Sequence, residues 1–312
     1  MTGVRKKMMQ TPIVAEPERS FRSRYAFFAT LLGVTALYSA TPASSNIYLD
    51  NPLRVVDRSS ESYLAPVGEL ESGSGFIGAN GKPQHRFGTG VLISPCYIVT
   101  AAHVVLGSDA VQRPGVDYSM IFRAGVGTTT PFLGHTRAML VMASERLLKG
   151  NDWALMKLNS CVGERAEFGW LETSYGSGSQ LVGLRAEVVG YPTSEARGKM
   201  MSGIGEVIAV DENSGNLLVS ASAINGQSGG PIVVYEYGQA RVAGILAFQN
   251  RDLMPDRINQ AEYPTYSEER ANEFTGISFV ARDEVRALLQ ADKARWGRAN
   301  PNAERARAAV LR

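Results

Sequence analysis

"INGQSGGP", residues 224–231, sets a single serine, Ser228, among three glycines and a proline. Glycine inside a strand or helix costs roughly 0.5–1 kcal/mol relative to alanine, so these glycines serve something other than packing. Serine is a poor nucleophile at neutral pH and needs an adjacent base. The base needs a third group that fixes its tautomer and stabilises its cation. An attacked carbonyl becomes an oxyanion, which needs preorganised donors. Glycines beside a serine allow backbone N–H groups to converge on one small concavity, so the backbone itself can bind the developing charge.

Two other stretches carry the remaining residue types. The chain has three histidines, His85, His103 and His135. His103 ends "YIVTAAH" (97–103), where an apolar run stops at small residues that leave room for an imidazole with both nitrogens engaged. Asp152 opens "DWALMKL" (152–158). Alone it reads as a cap, or as a carboxylate at the edge of a core that needs hydrogen-bond partners to stay charged. Gly226, Ser228 and Gly230 also match the G-x-S-x-G nucleophile elbow, but that architecture requires the order serine, acid, histidine. Every histidine here precedes Ser228, so the elbow is excluded. The order found is histidine, aspartate, serine.

Around these residues run short apolar segments separated by turns: 88–93, 96–102, 152–158, 185–191, 204–210, 216–222, 231–237 and 241–248. Such segments, without intervening amphipathic helices, predict an all-β barrel or sandwich. "YEYGQARV" predicts a hairpin turning near Gly238, and "DENSGN" (211–216) another turn. One helix is predicted in "ARDEVRALLQADKARW", where Val285, Leu288, Leu289 and Trp296 share a face. The Ala/Arg-rich tail from Gly297 is expected to be frayed or solvated, with a basic docking tail as the alternative. A Gly/Ser-rich link at 174–180 divides the strand-rich region into similar halves, and the polar stretch 249–275 reads as a long functional or disordered loop.

A basic leader precedes an uncharged apolar run over residues 25–40. That run has the length of a signal-peptide core and falls short of the about 20 apolar residues of a membrane span. Residues 1–45 are therefore expected to direct export to the periplasm or beyond, with membrane anchoring through residues 25–40 as the alternative. The formal charge of +2 argues for a mixed surface and against a nucleic-acid partner. Cys96 and Cys161 lack metal-site spacing; in an exported chain they either pair or remain buried thiols. No metal or cofactor is expected.

"TAAH" (100–103), "DWALMKL" (152–158) and "GQSGGP" (226–231), in that order, resemble the three signatures of chymotrypsin-fold (trypsin-like) serine proteases, over roughly residues 70–290. "GTGVLISP" and "GISFV" (276–280) resemble strands of the same family. The resemblance implies two antiparallel six-stranded β-barrels, over 46–175 and 176–282, followed by a C-terminal helix and basic tail (283–312). It implies an endopeptidase acting on protein or peptide substrates, with Ser228 as nucleophile, His103 as general base and acid, and Asp152 orienting His103. The Gly226 and Ser228 amides would form the oxyanion hole. Ser222 and Ala223 would line the base of the specificity pocket, with Ala247, Phe248 and Gln249 as its substrate-binding wall and Gly276 leaving it open. A catalytically inactive binding protein, or an esterase on the same triad, is the alternative.

The chain departs from the pattern in places. Animal members carry an acid before the serine, which pairs with an N-terminus released by zymogen cleavage. Gln227 stands there, and no Ile-Val-Gly-Gly start is present, so independence from that ion pair is expected, as in the bacterial glutamyl-endopeptidase and HtrA-like branches. Val104 replaces the family's cysteine after the histidine, and the likeness implies a Cys96–Cys161 bridge across antiparallel strands of the first barrel. No acid stands at Ser222 and no histidine at Leu246, so neither a basic nor a glutamyl preference is expected. An uncharged residue of modest size is.

Overall fold

Alternation along the strands divides the apolar residues between three cores. The computed structural model describes residues 52–309 except 58, 74–84, 108–110, 126–134, 145–150, 177, 194–197, 212–213, 249–271, 278–279 and 281. After a two-residue strand β1 (Arg54–Val55), six strands follow: β2 (Val67–Ser72), β3 (Phe87–Leu92), β4 (Tyr97–Thr100), β5 (Met120–Ala124), β6 (His135–Ala143) and β7 (Ala154–Leu158). They close an antiparallel barrel in the order β2-β3-β4-β7-β6-β5. The second barrel uses β8 (Arg185–Gly190), β9 (Met201–Val210), β10 (Leu217–Val219), β11 (Pro231–Glu236), β12 (Gln239–Phe248) and β13 (Asn272–Gly276). Its order is β8-β9-β10-β13-β12-β11, closing back on β8, with β1 added on β9.

Successive side chains on a strand point to opposite faces. Leu92, Ile98 and Met156 fill the first barrel; Val188, Ile232 and Val234 fill the second. Their neighbours Val91, Val99, Leu155, Val189 and Val233 point outward into a shared seam. The two barrels are thus joined by the opposite faces of the strands that fill them. Each such side chain contributes roughly 1.5–3 kcal/mol on burial, so the shared seam holds the two barrels to one another.

Tyr237 and Gly238, both at positive φ (48° and 72°), turn the predicted β11–β12 hairpin. β13 runs into Gly276 rather than out of it, so "GISFV" follows the strand. β1 lies within 46–175 in sequence but pairs with the second barrel.

The long C-terminal helix, α2 (Asp283–Trp296), is preceded by a short α1 (Ala102–Leu106) and followed by α3 (Ala303–Ala308). Val285 and Leu289 of α2 are buried in the seam. Asp292, also buried, accepts Ser94 Oγ–H (2.7 Å) and Cys96 N–H (2.8 Å) from the first barrel. Cys96 and Cys161 form a disulfide with Cα atoms 4.2 Å apart. They sit just outside β4 and β7, which pair antiparallel. The tail is docked, contrary to the solvated tail expected. Fully buried Asn302 donates to the Tyr63 and Trp170 carbonyls, and Arg305 donates to the Phe168 carbonyl at 2.6 Å. An Ala/Arg-rich composition hides this, because the anchors are polar side chains capping backbone carbonyls.

Candidate active site

His103 is the second residue of α1, directly after β4. The run Thr100-Ala101-Ala102 is small because the second barrel presses on it. A Cβ at Gly229 would lie 2.0 Å from Thr100 Oγ1 and 2.8 Å from Ala101 N. Gly229 also has φ +80°, so both space and conformation demand glycine there. Thr89 N–H donates to the Ser228 carbonyl at 2.8 Å. A Cβ at Gly88 would meet both Val104, at 2.6 Å, and the Ser228 carbonyl, at 3.0 Å. Ser228 and the neighbours of His103 thus share one small space at the junction of the barrels.

Asp152 precedes β7, which pairs with β4 so that Thr100 faces Ala154. That register brings the carboxylate to α1. Its Oδ1 accepts His103 N–H at 2.9 Å, and its Oδ2 lies 2.5 Å from His103 Nδ1. A carboxylate only accepts, so Nδ1 carries the proton and Nε2 is the basic nitrogen. Asp152 is fully buried, while the imidazole keeps 22% of its surface open. Burial lowers the His103 pKa, but the charge and hydrogen bond of Asp152 more than offset it, so the imidazole is held above its ordinary 6.5. Arg86 acts the other way; its guanidinium donates to the Val105 carbonyl near the end of α1 at 2.6 Å.

The loop before Ser228 is latched from inside. Gln227 is fully buried. Its Oε1 accepts Ile224 N–H at 2.8 Å and its Nε2 donates to the Met201 carbonyl at 3.0 Å. The Gln227, Gly229 and Gly230 amides donate to the Ile224, Leu246 and Gln227 carbonyls. Among the described residues, the Gly226 and Ser228 amides donate to none. Gly226 has φ +95°, and a Cβ there would lie 2.4 Å from Thr193 N. Its carbonyl accepts the Thr89 hydroxyl at 3.2 Å.

Ser222, Ala223 and Ala247 are buried close to this loop, Ser222 against Gly203 of β9 and Ala247 one residue after Leu246. Phe248 ends β12; its side chain and Gln249 lie outside the described residues. Gly276 packs on the Gly215 carbonyl and lines a separate cleft of about 500 Å³ shared with Leu181, Leu217, Ala243 and Leu289. Sequence reasoning did not single out Thr89, Arg86 or Glu187, each of which acts through contacts to residues distant in the chain. Cys96, Cys161 and Asp292 converge, but the disulfide occupies both sulfurs.

Two six-stranded barrels with a buried aspartate on a histidine at their junction define the class as chymotrypsin-like. The sequence profile of the trypsin-like peptidase domain matches residues 88–245, and the chain belongs to that family, as a serine endopeptidase. Among solved structures, a Glu endopeptidase in complex with MPD is similar at 15% identity and TM-score 0.54, covering 80% of this chain and 99% of that one. A thermostable serine protease from an extremophilic microorganism is similar at 14% identity and TM-score 0.51, covering 73% and 99%. At these identities the likeness is one of fold. No curated protein sequence matches the chain. No helix among the described residues is long and apolar enough to cross a membrane, and the disulfide is compatible with an exported protein. Residues 25–40 lie outside the described residues.

Proposed function

We propose that the chain is an exported endopeptidase working through Ser228, His103 and Asp152. The observation that carries this reading is the 2.5 Å Asp152–His103 contact, made on the segment against which Gly229, the residue after Ser228, packs. His103 Nε2 takes the proton as Ser228 Oγ attacks the scissile carbonyl carbon. The carbonyl oxygen becomes an oxyanion and accepts the Gly226 and Ser228 N–H groups, which no backbone carbonyl among the described residues occupies. As the intermediate collapses, the C–N bond breaks and the imidazolium returns its proton to the leaving amine. Water, deprotonated by the same nitrogen, then releases the acyl group from Ser228. Asp152 keeps Nδ1 protonated throughout.

Ser222, Ala223 and Ala247 are small and uncharged, which supports preference for an uncharged residue of modest size on the acyl side. The disulfide supports export. The test combines a fluorophosphonate probe with a peptide library. Wild type is expected to be labelled and to cleave peptides, while Ser228→Ala does neither and loses about 10⁶ in turnover. Labelling retained in Ser228→Ala, or peptides left intact by wild type, would overturn the reading.

A further inference from the structure

We infer that Leu53 and Arg54 are positioning residues that hold the loop carrying the Gly226 and Ser228 amides; this rests on the assignment of those amides as oxyanion donors. β1 belongs to neither closed ring of six strands, so both barrels close without it. Its contacts nevertheless fall on the two groups that shape the loop. Leu53 packs on Ile224, the residue whose N–H and carbonyl are both bonded by Gln227. Arg54 and Val55 pair with Ser202 and Met201, and Val56 N–H donates to the Met200 carbonyl at 2.9 Å. The Met201 carbonyl is the one that takes Gln227 Nε2. Segment 53–56 therefore touches both ends of the latch on the residue before Ser228.

Arg54 fastens the segment. Its guanidinium donates to Glu187 Oε1 of β8 at 2.6 Å and to Glu61 Oε2 at 2.8 Å. Glu187 is fully buried and also accepts the hydroxyls of Tyr63 (2.6 Å) and Tyr235 (2.8 Å). A buried carboxylate keeps its charge only when donors surround it, and Arg54 supplies the compensating cation. Where animal relatives order the corresponding loop with a charge pair at the residue before the serine, this chain has an uncharged Gln227. Its charge pair, Arg54 with Glu187, lies one strand away.

Donors that act only on the transition state change kcat and leave KM alone. Removing one oxyanion donor outright costs about 10²–10³ in kcat, so loosening both is expected to cost about tenfold. Full-length Leu53→Ala, Arg54→Ala, Arg54→Lys and Arg123→Ala are compared on a peptide that wild type cleaves, with active sites counted by fluorophosphonate and folding followed by thermal melting. Leu53→Ala and Arg54→Ala are expected to lose about tenfold in kcat at unchanged KM. Arg54→Lys should recover most of it, and Arg123→Ala, which breaks the ion pair between Arg123 of β5 and Glu71 of β2 in the first barrel, should match wild type. Wild-type kcat in a folded Leu53→Ala, an equal loss in Arg123→Ala, or a change confined to KM would each overturn the proposal. Should Arg54→Ala not fold, Leu53→Ala decides, because that side chain is half-buried and its loss removes no charge. A wild type that turns over no peptide sinks the catalytic reading itself, and is told apart because it precedes any comparison of variants.

Discussion

Asp152 grips His103 twice, at its main-chain N–H in the first turn of α1 and at Nδ1 of the ring. One carboxylate thus fixes both where the residue starts and how its ring is turned. Because the grip holds the imidazole above 6.5, and only neutral Nε2 can take a proton, the acid limb of kcat/KM is expected to have its midpoint above that value. Asp152→Asn removes what raises the pKa and leaves burial and Arg86, so the limb should move below 6.5 while turnover falls about 10⁴. Stability runs the other way. The stability that comes from the raised His103 pKa is fully present below the unfolded value and is lost as pH rises through the raised folded one. A wild-type limb below 6.5 would contradict this account of the site.

Gln227→Glu tests the uncharged latch. The Met201 carbonyl can only accept, so a carboxyl there must keep its proton, raising its pKa in the folded state. Unfolded glutamate titrates near about 4.3. The variant is expected to melt close to wild type in acid and to lose stability as pH rises above that value, by about 1–3 kcal/mol or more for the unmet bond. Melting curves between pH 4 and 8, on the scale of those reference values, follow it.

The disulfide closes a loop with a sequence separation of 65. In a chain-entropy treatment this contributes about 4 kcal/mol. Cys96→Ser paired with Cys161→Ser should lower urea stability by about that amount. Activity should survive in the folded fraction, since neither cysteine lies near His103, Asp152 or Ser228 in the network of contacts described.

Much of the fold, and the residues of the candidate site, can be read from the chain for a definite reason. The segments holding β3, β4, β7, β8, β11 and β12 are apolar on both faces because they separate two cores, so they stand out as runs. β2, β5 and β6 do not. Glu69 of β2 faces Arg123 of β5 across the ladder, and Thr136 and Ala138 supply the inward face of β6, so polar residues mask strands that fill the same barrel. His103, Asp152 and Ser228 stood out because scarce residue types fell in one permitted order. The latch at Gln227, the clamp at Glu187 and the docked tail joined residues far apart through hydrogen bonds. No spacing in the sequence records those.

The tail predicts its own test. Asn302→Ala strips the Tyr63 and Trp170 carbonyls of a buried donor, which should cost about 1–3 kcal/mol. The variant should be detected as a lower melting temperature with kcat and KM unchanged. A variant as stable as wild type would mean that the docked tail adds nothing.

Asp292 sits on the helix after the second barrel yet supplies the acceptor for the Ser94 hydroxyl and Cys96 amide in the first. During synthesis the earlier barrel therefore waits, with a buried amide unanswered, until the residues of α2 have left the ribosome. Neither half is then a separate folding unit. Heat should melt the two together in one calorimetric peak, and a gene split between them should yield fragments that become soluble only when made in the same cell.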